Sequence, residues 1–259
     1  MINVADVWHH YGIRPVLKGI SMRVKPGELV AVMGPNGMGK TTLISLMAGV
    51  LCPIKGKIEI NGRPRRHSVE EEIEIRKKVV FLPDNPYLPL RSTGREFLLA
   101  TGMLYEVESF RLMEHIERLL PLFDLEEIAD SPIRTYSAGQ KKKIGLCSAL
   151  VTEAPVMILD EPFSGGLDSA GLLALSKVLK GLADRKDVTV VMAVPVPELV
   201  EPLAHKIAII QRGKLLAYDT AEGLRKQTGS EGPLTEVLEK LIHPKVFENI
   251  EHYLEGRAQ

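Results

Sequence analysis

The sequence predicts an α/β fold in which a helical lobe interrupts the core. A short apolar stretch at residues 28 to 33 runs into a glycine-rich loop, and a helical pattern follows that loop. Further short apolar runs with strand character recur along the chain. Between two of these runs, residues from about 86 to 150 have no strong strand signal, and three segments there have helical spacing. The lobe is therefore expected to be inserted into the core.

The N-terminal region has the patterns of strands. Ile2 to Trp8 alternates weakly, and Val16 to Val24 has the composition of a second strand. After the first helix, Gly56 to Ile60 alternates charged and apolar residues, which indicates a half-buried strand ending at the Asn61-Gly62 turn.

Residues 34 to 42 have the pattern G-x-x-x-x-G-K-T between a predicted strand and a predicted helix. Glycines let the backbone curl so that N–H groups point at phosphate oxygens, and the helix N-terminus adds positive potential. Lys40 can reach the β- and γ-phosphates, and the Thr41 hydroxyl can hold Mg²⁺. A chance glycine loop is the alternative, which the flanking strand and helix disfavour. The residues predicted to contact nucleotide here are Gly34, Pro35, Asn36, Gly37, Met38, Gly39, Lys40, Thr41 and Thr42.

Tyr11 lies in a turn upstream of this loop. An aromatic ring in such a place can stack on adenine, a contact worth roughly 1–3 kcal/mol per base in other settings. A surface tyrosine in a turn is the alternative. Trp8 could compete for the role, but its place on a strand predicts a core residue.

Two acids, Asp160 and Glu161, end the apolar run Val156 to Leu159. Acids at the end of a parallel strand face the crevice beside a phosphate loop. We expect Asp160 to bind Mg²⁺, directly or through water, and Glu161 to polarise the attacking water. Solvated acids at a strand end are the alternative.

Two runs of charge are predicted to be solvated. Arg63 to Lys78 is rich in charged residues, and Glu70 to Glu72 within it is expected to form an exposed face. Lys141 to Lys143 is expected to be a solvated face as well, with a grip on phosphate as the alternative.

The remaining elements follow from apolar spacing. Strands are predicted at Val79 to Leu82 and at 188 to 194, where Pro195 and Pro197 stop the second. A hairpin joins 207–210 to 215–218, and 229–233 is predicted to be a flexible joint. Helices are predicted at Arg95–Tyr105, Phe110–Phe123, Ala138–Thr152, Ala221–Gln227, Leu234–Leu241 and Pro244–Tyr253.

The composition of the chain limits its possible partners and its location. The 259 residues are 45% hydrophobic, and 33 basic residues balance 33 acidic ones, so we expect no nucleic-acid partner. Cys52 and Cys147 lack metal-ligand spacing, which predicts a reduced cytoplasmic chain. No apolar run approaches the roughly 20 residues of a membrane span, and the N-terminus lacks the pattern of a secretion signal.

Ser137-Ala138-Gly139-Gln140, preceded by Tyr136, stands about 20 residues before the Asp160-Glu161 pair. Together with the phosphate loop and the acidic strand end, this motif resembles the ATP-binding subunit of an ABC transporter, whose signature is Leu-Ser-Gly-Gly-Gln. The resemblance covers residues 1 to about 220.

The resemblance implies a P-loop NTPase with a RecA-like core, an N-terminal antiparallel β subdomain and an inserted helical subdomain. It implies an ATP-binding domain at 1–220 with the helical part at about 86–152, followed by a helical extension at 221–259. It implies an ATPase that uses ATP and Mg²⁺, with Glu161 and Lys40 catalytic. Ser137, Gly139 and Gln140 would bind the γ-phosphate on an opposite subunit in a homodimer or heterodimer; for Ser137 a plain helix cap is the alternative.

The segments Pro83–Pro86 and Ser92–Glu96 are similar to the exporter branch of this family. The resemblance then implies a separate multispan permease, which would hold a cytoplasmic chain against the inner face of the membrane. The permease contact is expected between the Asp84 region and the helical lobe, around 86–94. Alternatives are a soluble ABC-type ATP switch in an assembly or regulatory complex and, more weakly, a DNA-repair relative, which neutral charge and the lack of a long coiled coil disfavour.

The sequence departs from the family pattern in three ways. Asp84 replaces a Gln, although Asp84 can still bind Mg²⁺ or water. The segment from Glu161 to Asp168 is one residue longer than usual. Pro195 stands where the family has a His that touches the γ-phosphate, so slow hydrolysis is expected.

Overall fold

Two β-sheets frame the protein in a computed structural model that describes residues 1–242 and residue 253. The smaller sheet is antiparallel, with the order β2-β1-β4-β5. Its strands are β1 (Ile2–His10), β2 (Pro15–Val24), β4 (Lys55–Ile60) and β5 (Arg63–Pro64). The N-terminal strands predicted from the sequence are thereby confirmed.

The larger sheet has the order β10-β9-β3-β8-β7-β6 and is parallel except for β10, which pairs antiparallel with β9. Its strands are β3 (Leu29–Met33), β6 (Val79–Leu82), β7 (Val156–Asp160), β8 (Thr189–Ala193), β9 (Lys206–Gln211) and β10 (Lys214–Asp219). Because β3, β8 and β7 are parallel neighbours, their carboxyl ends meet at one edge of the sheet. This edge carries the phosphate loop after β3 and the acids Asp160 and Glu161 at the end of β7.

Helices cover both faces of the larger sheet. The helices are α1 (Lys40–Ala48), α2 (Val69–Arg76), α3 (Gly94–Leu104), α4 (Ser109–Leu122), α5 (Ala138–Leu150), α6 (Ser169–Arg185), α7 (Pro197–Val200), α8 (Ala221–Thr228) and α9 (Leu234–Ile242). Helices α3, α4 and α5 lie between β6 and β7 in the chain and form the predicted helical lobe. The predicted helix Pro244–Tyr253 lies outside the described residues apart from Tyr253.

The central strands β3, β7 and β8 of the larger sheet are buried on both faces, which explains why β3 has a continuous apolar sequence. On one face, Val30 and Val32 pack in a cluster with α1 and the smaller sheet. On the other, Ala31 and Met33 pack in a cluster with the helical lobe and the C-terminal helices. Within residues 1–242, no helix combines the length and the apolar character needed to cross a membrane.

The stretch Arg63–Lys78, predicted to be solvated, contains α2 and a buried charge. Glu72 is only 7% exposed. Its carboxylate accepts hydrogen bonds from Arg65 Nη1 at 2.8 Å and from the Arg66 backbone N–H at 3.0 Å. The prediction of an exposed face is therefore wrong at Glu72, because a basic side chain earlier in the chain folds back over the helix.

Two smaller predictions also differ. Trp8 is half-buried rather than in the core, and its Nε1 donates to Asp6 Oδ1 at 2.9 Å. The joint at 229–233 is tied into the fold, because Ser230 is buried and its hydroxyl donates to Glu236 Oε1 at 2.7 Å.

We predict that Glu72→Gln lowers the free energy of unfolding by about 3 kcal/mol at neutral pH, because Arg65 would keep a buried, uncompensated charge. Glu70→Gln, on the exposed side of the same helix, is the control and should change it by less than about 0.5 kcal/mol in urea unfolding. Equal losses in the two variants would contradict this account.

The loss of unfolding free energy in Glu72→Gln should also depend on pH. Burial opposes ionisation of Glu72, but the Arg66 N–H and the Arg65 and Arg76 guanidinium groups outweigh it and lower the pKa of Glu72 below its ordinary value. The stabilisation is therefore present above the ordinary glutamate pKa and is lost as pH falls through the lowered pKa. The difference between wild type and Glu72→Gln should shrink across that range.

Candidate functional site

The phosphate loop connects the end of β3 to the start of α1 in a tightly curled backbone. Gly34 and Gly39 have φ angles of 141° and 104°, in the region that favours glycine. A Cβ atom at Gly34 would collide with the carbonyl oxygen of Ile210, and one at Gly39 would lie 2.6 Å from Leu17 Cδ2. The curl therefore requires glycine for both its torsion angles and its close packing.

Lys40 is buried under this loop. Its Nζ donates hydrogen bonds to the carbonyl oxygens of Gly34 at 2.9 Å and Pro35 at 3.2 Å, and to Asn36 Oδ1 at 3.4 Å. Burial lowers the pKa of Lys40, while the carboxylates of Glu161 and Asp160 oppose that shift. The ammonium group is thus held at the centre of the curl, where the sequence predicts a phosphate contact.

The N-terminus of α1 opens into the same curl. Gly39 is the N-cap residue, and within the described chain no side chain accepts from the first turn through a cap hydrogen bond. A Cβ at Gly37 would meet nothing within 4 Å, so the loop leaves open space beside the helix end. Free N–H groups, a helix dipole and an ammonium group fit a polyphosphate.

Thr41 and Asp160 meet across the site, although they are 119 positions apart in the sequence. Thr41 Oγ1 donates to Asp160 Oδ1 at 3.3 Å, and Asp160 is only 3% exposed. Burial raises the pKa of Asp160; the Thr41 hydrogen bond opposes that shift, and the nearby Glu161 and Asp84 carboxylates reinforce it. Hydroxyl and carboxylate oxygens suit Mg²⁺, so these two residues would hold the ion.

Glu161 follows directly on β7, and its backbone N–H donates to the Ala193 carbonyl at 3.0 Å. Its φ angle is 45°, which is uncommon for a residue other than glycine. Strand β8 therefore fixes the backbone of the acid that the sequence predicts to polarise water.

Asp84, predicted to bind the metal ion, lies near this pair but is engaged by other groups. Its Oδ1 accepts from Ser164 Oγ at 2.7 Å and from Lys142 Nζ at 3.3 Å. Its backbone carbonyl accepts from Lys142 Nζ at 3.1 Å. A metal contact by Asp84 stays a prediction.

The predicted solvated face at Lys141–Lys143 is wrong for two of its three residues. Lys142 and Lys143 are each 4% exposed, and they pair with Asp84 and Asp168. The acids that receive these charges are 58 and 25 positions away, so a local charge run gives no sign of them. Ser164 was also missed by the sequence predictions, although it lies in the segment noted as one residue too long.

Tyr11 lies beside the phosphate-loop helix and is 66% exposed. Its hydroxyl is 3.3 Å from Thr42 Oγ1, and its ring meets the His9 ring edge-on at 5.0 Å between centroids. An exposed ring tethered to this helix is compatible with stacking on a base. Stacking of Tyr11 on adenine therefore stays a prediction, and so does the alternative of a surface tyrosine in a turn.

The signature motif forms the start of α5. Ser137 Oγ accepts from the Gln140 N–H at 3.2 Å, and Gln140 Oε1 accepts from the Ser137 N–H at 2.8 Å, which is a capping box. A Cβ at Gly139 would lie 2.7 Å from the Gly166 carbonyl oxygen. Among the hydrogen bonds of residues 1–242, none joins this motif to the phosphate loop of the same chain.

The sheet order and the phosphate loop define an α/β nucleotide-binding domain. A family model described as ABC transporter matches residues 17–164. The daunorubicin resistance ATP-binding protein DrrA3 of Streptomyces coeruleorubidus is 31% identical over 89% of this chain and 71% of its own length. The Nod factor export ATP-binding protein I of Paraburkholderia xenovorans is 32% identical over 83% and 69%.

A solved structure described as the ATP binding subunit of an ABC transporter superposes with a TM-score of 0.86. That structure is 28% identical, and the match covers 93% of this chain and 99% of the other. The chain belongs to the ABC transporter family and is an ABC-type ATPase.

Proposed function

We propose that this chain binds and hydrolyses ATP for an exporter and acts through a separate transmembrane subunit. The observation that carries the proposal is the meeting of the phosphate loop, Thr41 and Asp160 at one edge of the sheet. The proposed direction of transport, export, rests on the similarity of two segments to the exporter branch. It also rests on one relative, the Nod factor export ATP-binding protein I, whose name specifies export.

The proposed reaction assigns a task to each part of the site. Backbone N–H groups of the loop and the Lys40 ammonium bind the triphosphate, and Glu161 polarises the attacking water. Mg²⁺ held by Thr41 and Asp160 would neutralise charge on the phosphate oxygens. Ser137, Gly139 and Gln140 of a second ATP-binding subunit, identical or different, would close over the γ-phosphate, as the resemblance to the family implies.

A groove of about 690 Å³ offers a surface for the proposed contact with a permease, although none of the residues lining it falls in the 86–94 segment where the sequence predicts that contact. It lies beside β6, which immediately precedes the Asp84 region, and the end of α3 in the helical lobe. Leu104 in this groove is 76% exposed, and Ile73 is 50% exposed. Apolar walls flanked by the basic residues Arg66, Arg76 and Lys77 suit a cytoplasmic segment of a membrane protein. The chain would then lie at the inner face of the membrane.

We predict that the tagged chain sediments with membranes and co-purifies with a multispan protein, and that Leu104→Asp abolishes both, because a charge in the groove removes the apolar contact. Met113→Asp is the control, since Met113 is 60% exposed on the lobe outside the groove. Wild-type chain found only in the soluble fraction with a soluble partner would instead support an ATP switch in an assembly or regulatory complex.

Pro195 supports the proposal of slow turnover. Val194 donates its N–H to the Val32 carbonyl at 3.2 Å, so residue 195 follows directly on a contact with the phosphate-loop strand. Proline has no side-chain donor for a γ-phosphate. Loss of one preorganised donor at a developing charge commonly costs about 10²–10³ in rate.

We predict that the purified wild-type subunit turns over well below about 10 s⁻¹, the median for enzymes. Pro195→His should raise kcat at least about tenfold by supplying the missing donor. Pro197→His, two residues further on, is the control and should leave kcat unchanged in a phosphate-release assay. Wild-type turnover near the median would refute the role given to Pro195.

A further inference from the structure

Glu161 has a strained backbone at the point where chemistry is proposed. Its φ of 45° places a residue with a Cβ in the left-handed region. Such a conformation costs about 1–3 kcal/mol and persists only when the surrounding structure holds it. The groups that hold Glu161 therefore determine where its carboxylate points.

The carbonyl oxygen of Glu161 is held by several donors. It accepts from the Ser164 N–H at 3.1 Å and from Lys142 Nζ at 3.0 Å. Ser164 Oγ lies 2.8 Å from the same oxygen and 2.7 Å from Asp84 Oδ1, so its single proton is shared between them. The backbone N–H of Glu161 is also used, by Ala193.

Lys142 connects this carbonyl to two other segments. Its Nζ also donates to the Asp84 carbonyl at 3.1 Å and to Asp84 Oδ1 at 3.3 Å. The side chain is 4% exposed, and its three acceptors match the three donors of an ammonium group. One buried cation thus ties helix α5 to the loops that follow β6 and β7.

We propose that Lys142, Asp84 and Ser164 form a clamp on the Glu161 backbone and that Lys142 is a positioning residue for ATP hydrolysis. This inference rests on the proposed role of Glu161 as the group that polarises water. Lys142 itself contacts no phosphate in this scheme; it acts by fixing the peptide group next to the carboxylate. Since α5 begins at the signature motif, the clamp also links the geometry of Glu161 to the position of that helix.

A buried ion pair with only a structural role is the competing explanation, and Lys143 offers a matched control. It is adjacent on the same helix, is equally buried and pairs with Asp168 at 2.8 Å. No hydrogen bond of the described residues joins Lys143 to the backbone of Glu161. Lys142→Met and Lys143→Met each remove one buried ammonium group, and the clamp is lost only in the first.

The test is single-turnover hydrolysis of MgATP, with the rate constant and the MgATP affinity measured separately for each purified variant. Lys142→Met should lower the rate constant about 10- to 100-fold, as a misplaced catalytic group does, with affinity unchanged within about threefold. Lys142→Arg should recover part of the rate, and Lys143→Met should lose less than about threefold. Equal rate losses in the two Met variants, or a loss of affinity alone, would overturn the proposal.

Two further variants keep the result decisive. If Lys142→Met does not fold, Ser164→Ala is tested instead, because this variant deletes the hydroxyl shared between Asp84 and the Glu161 carbonyl. An unchanged rate constant in Ser164→Ala would overturn the clamp. Glu161→Gln separates the clamp from the role it rests on. Full activity of Glu161→Gln would refute that role, whereas inactive Glu161→Gln beside fully active Lys142→Met would refute the clamp alone.

Discussion

The curl of the phosphate loop at the end of β3 is the constraint on which the rest of the structure depends. Gly34 and Gly39 permit it, and the buried Lys40 ammonium binds the carbonyl oxygens that the curl turns inward. Because β3 lies between β8 and β9 in the sheet, the curl opens at the edge where β7 delivers Asp160 and Glu161. The sheet order therefore places the acids beside the loop without any direct sequence proximity.

Two ammonium groups and three carboxylates meet at this edge. Lys40 lies near Asp160 and Glu161, and Lys142 pairs with Asp84. Buried ions are costly unless they are paired, so the ammonium groups offset the mutual repulsion of the carboxylates around them. The helical lobe supplies Lys142 from α5, and its position is thereby tied to the core at the site itself.

The sequence predicts those features that depend on local pattern. Apolar runs located the strands of the larger sheet, and the G-x-x-x-x-G-K-T motif located the loop, because each is encoded in a few consecutive residues. The charge runs predicted solvent exposure, and this prediction is wrong at Glu72, Lys142 and Lys143. Their burial depends on partners brought close only by the fold, as with Lys142 and Asp84 at 58 positions apart. Local sequence also gives no sign that the Glu161 carbonyl accepts hydrogen bonds from two separate segments.

The signature motif is built into the N-terminal cap of α5 and makes no hydrogen bond to the loop within residues 1–242 of the same chain. Under the proposed function, a second copy or a related subunit would complete the nucleotide site. The most direct test is the molar mass of Glu161→Gln by light scattering, with calorimetry confirming that MgATP is saturating. The account predicts that the mass doubles when MgATP is added. A variant that binds MgATP fully and remains a monomer would contradict it.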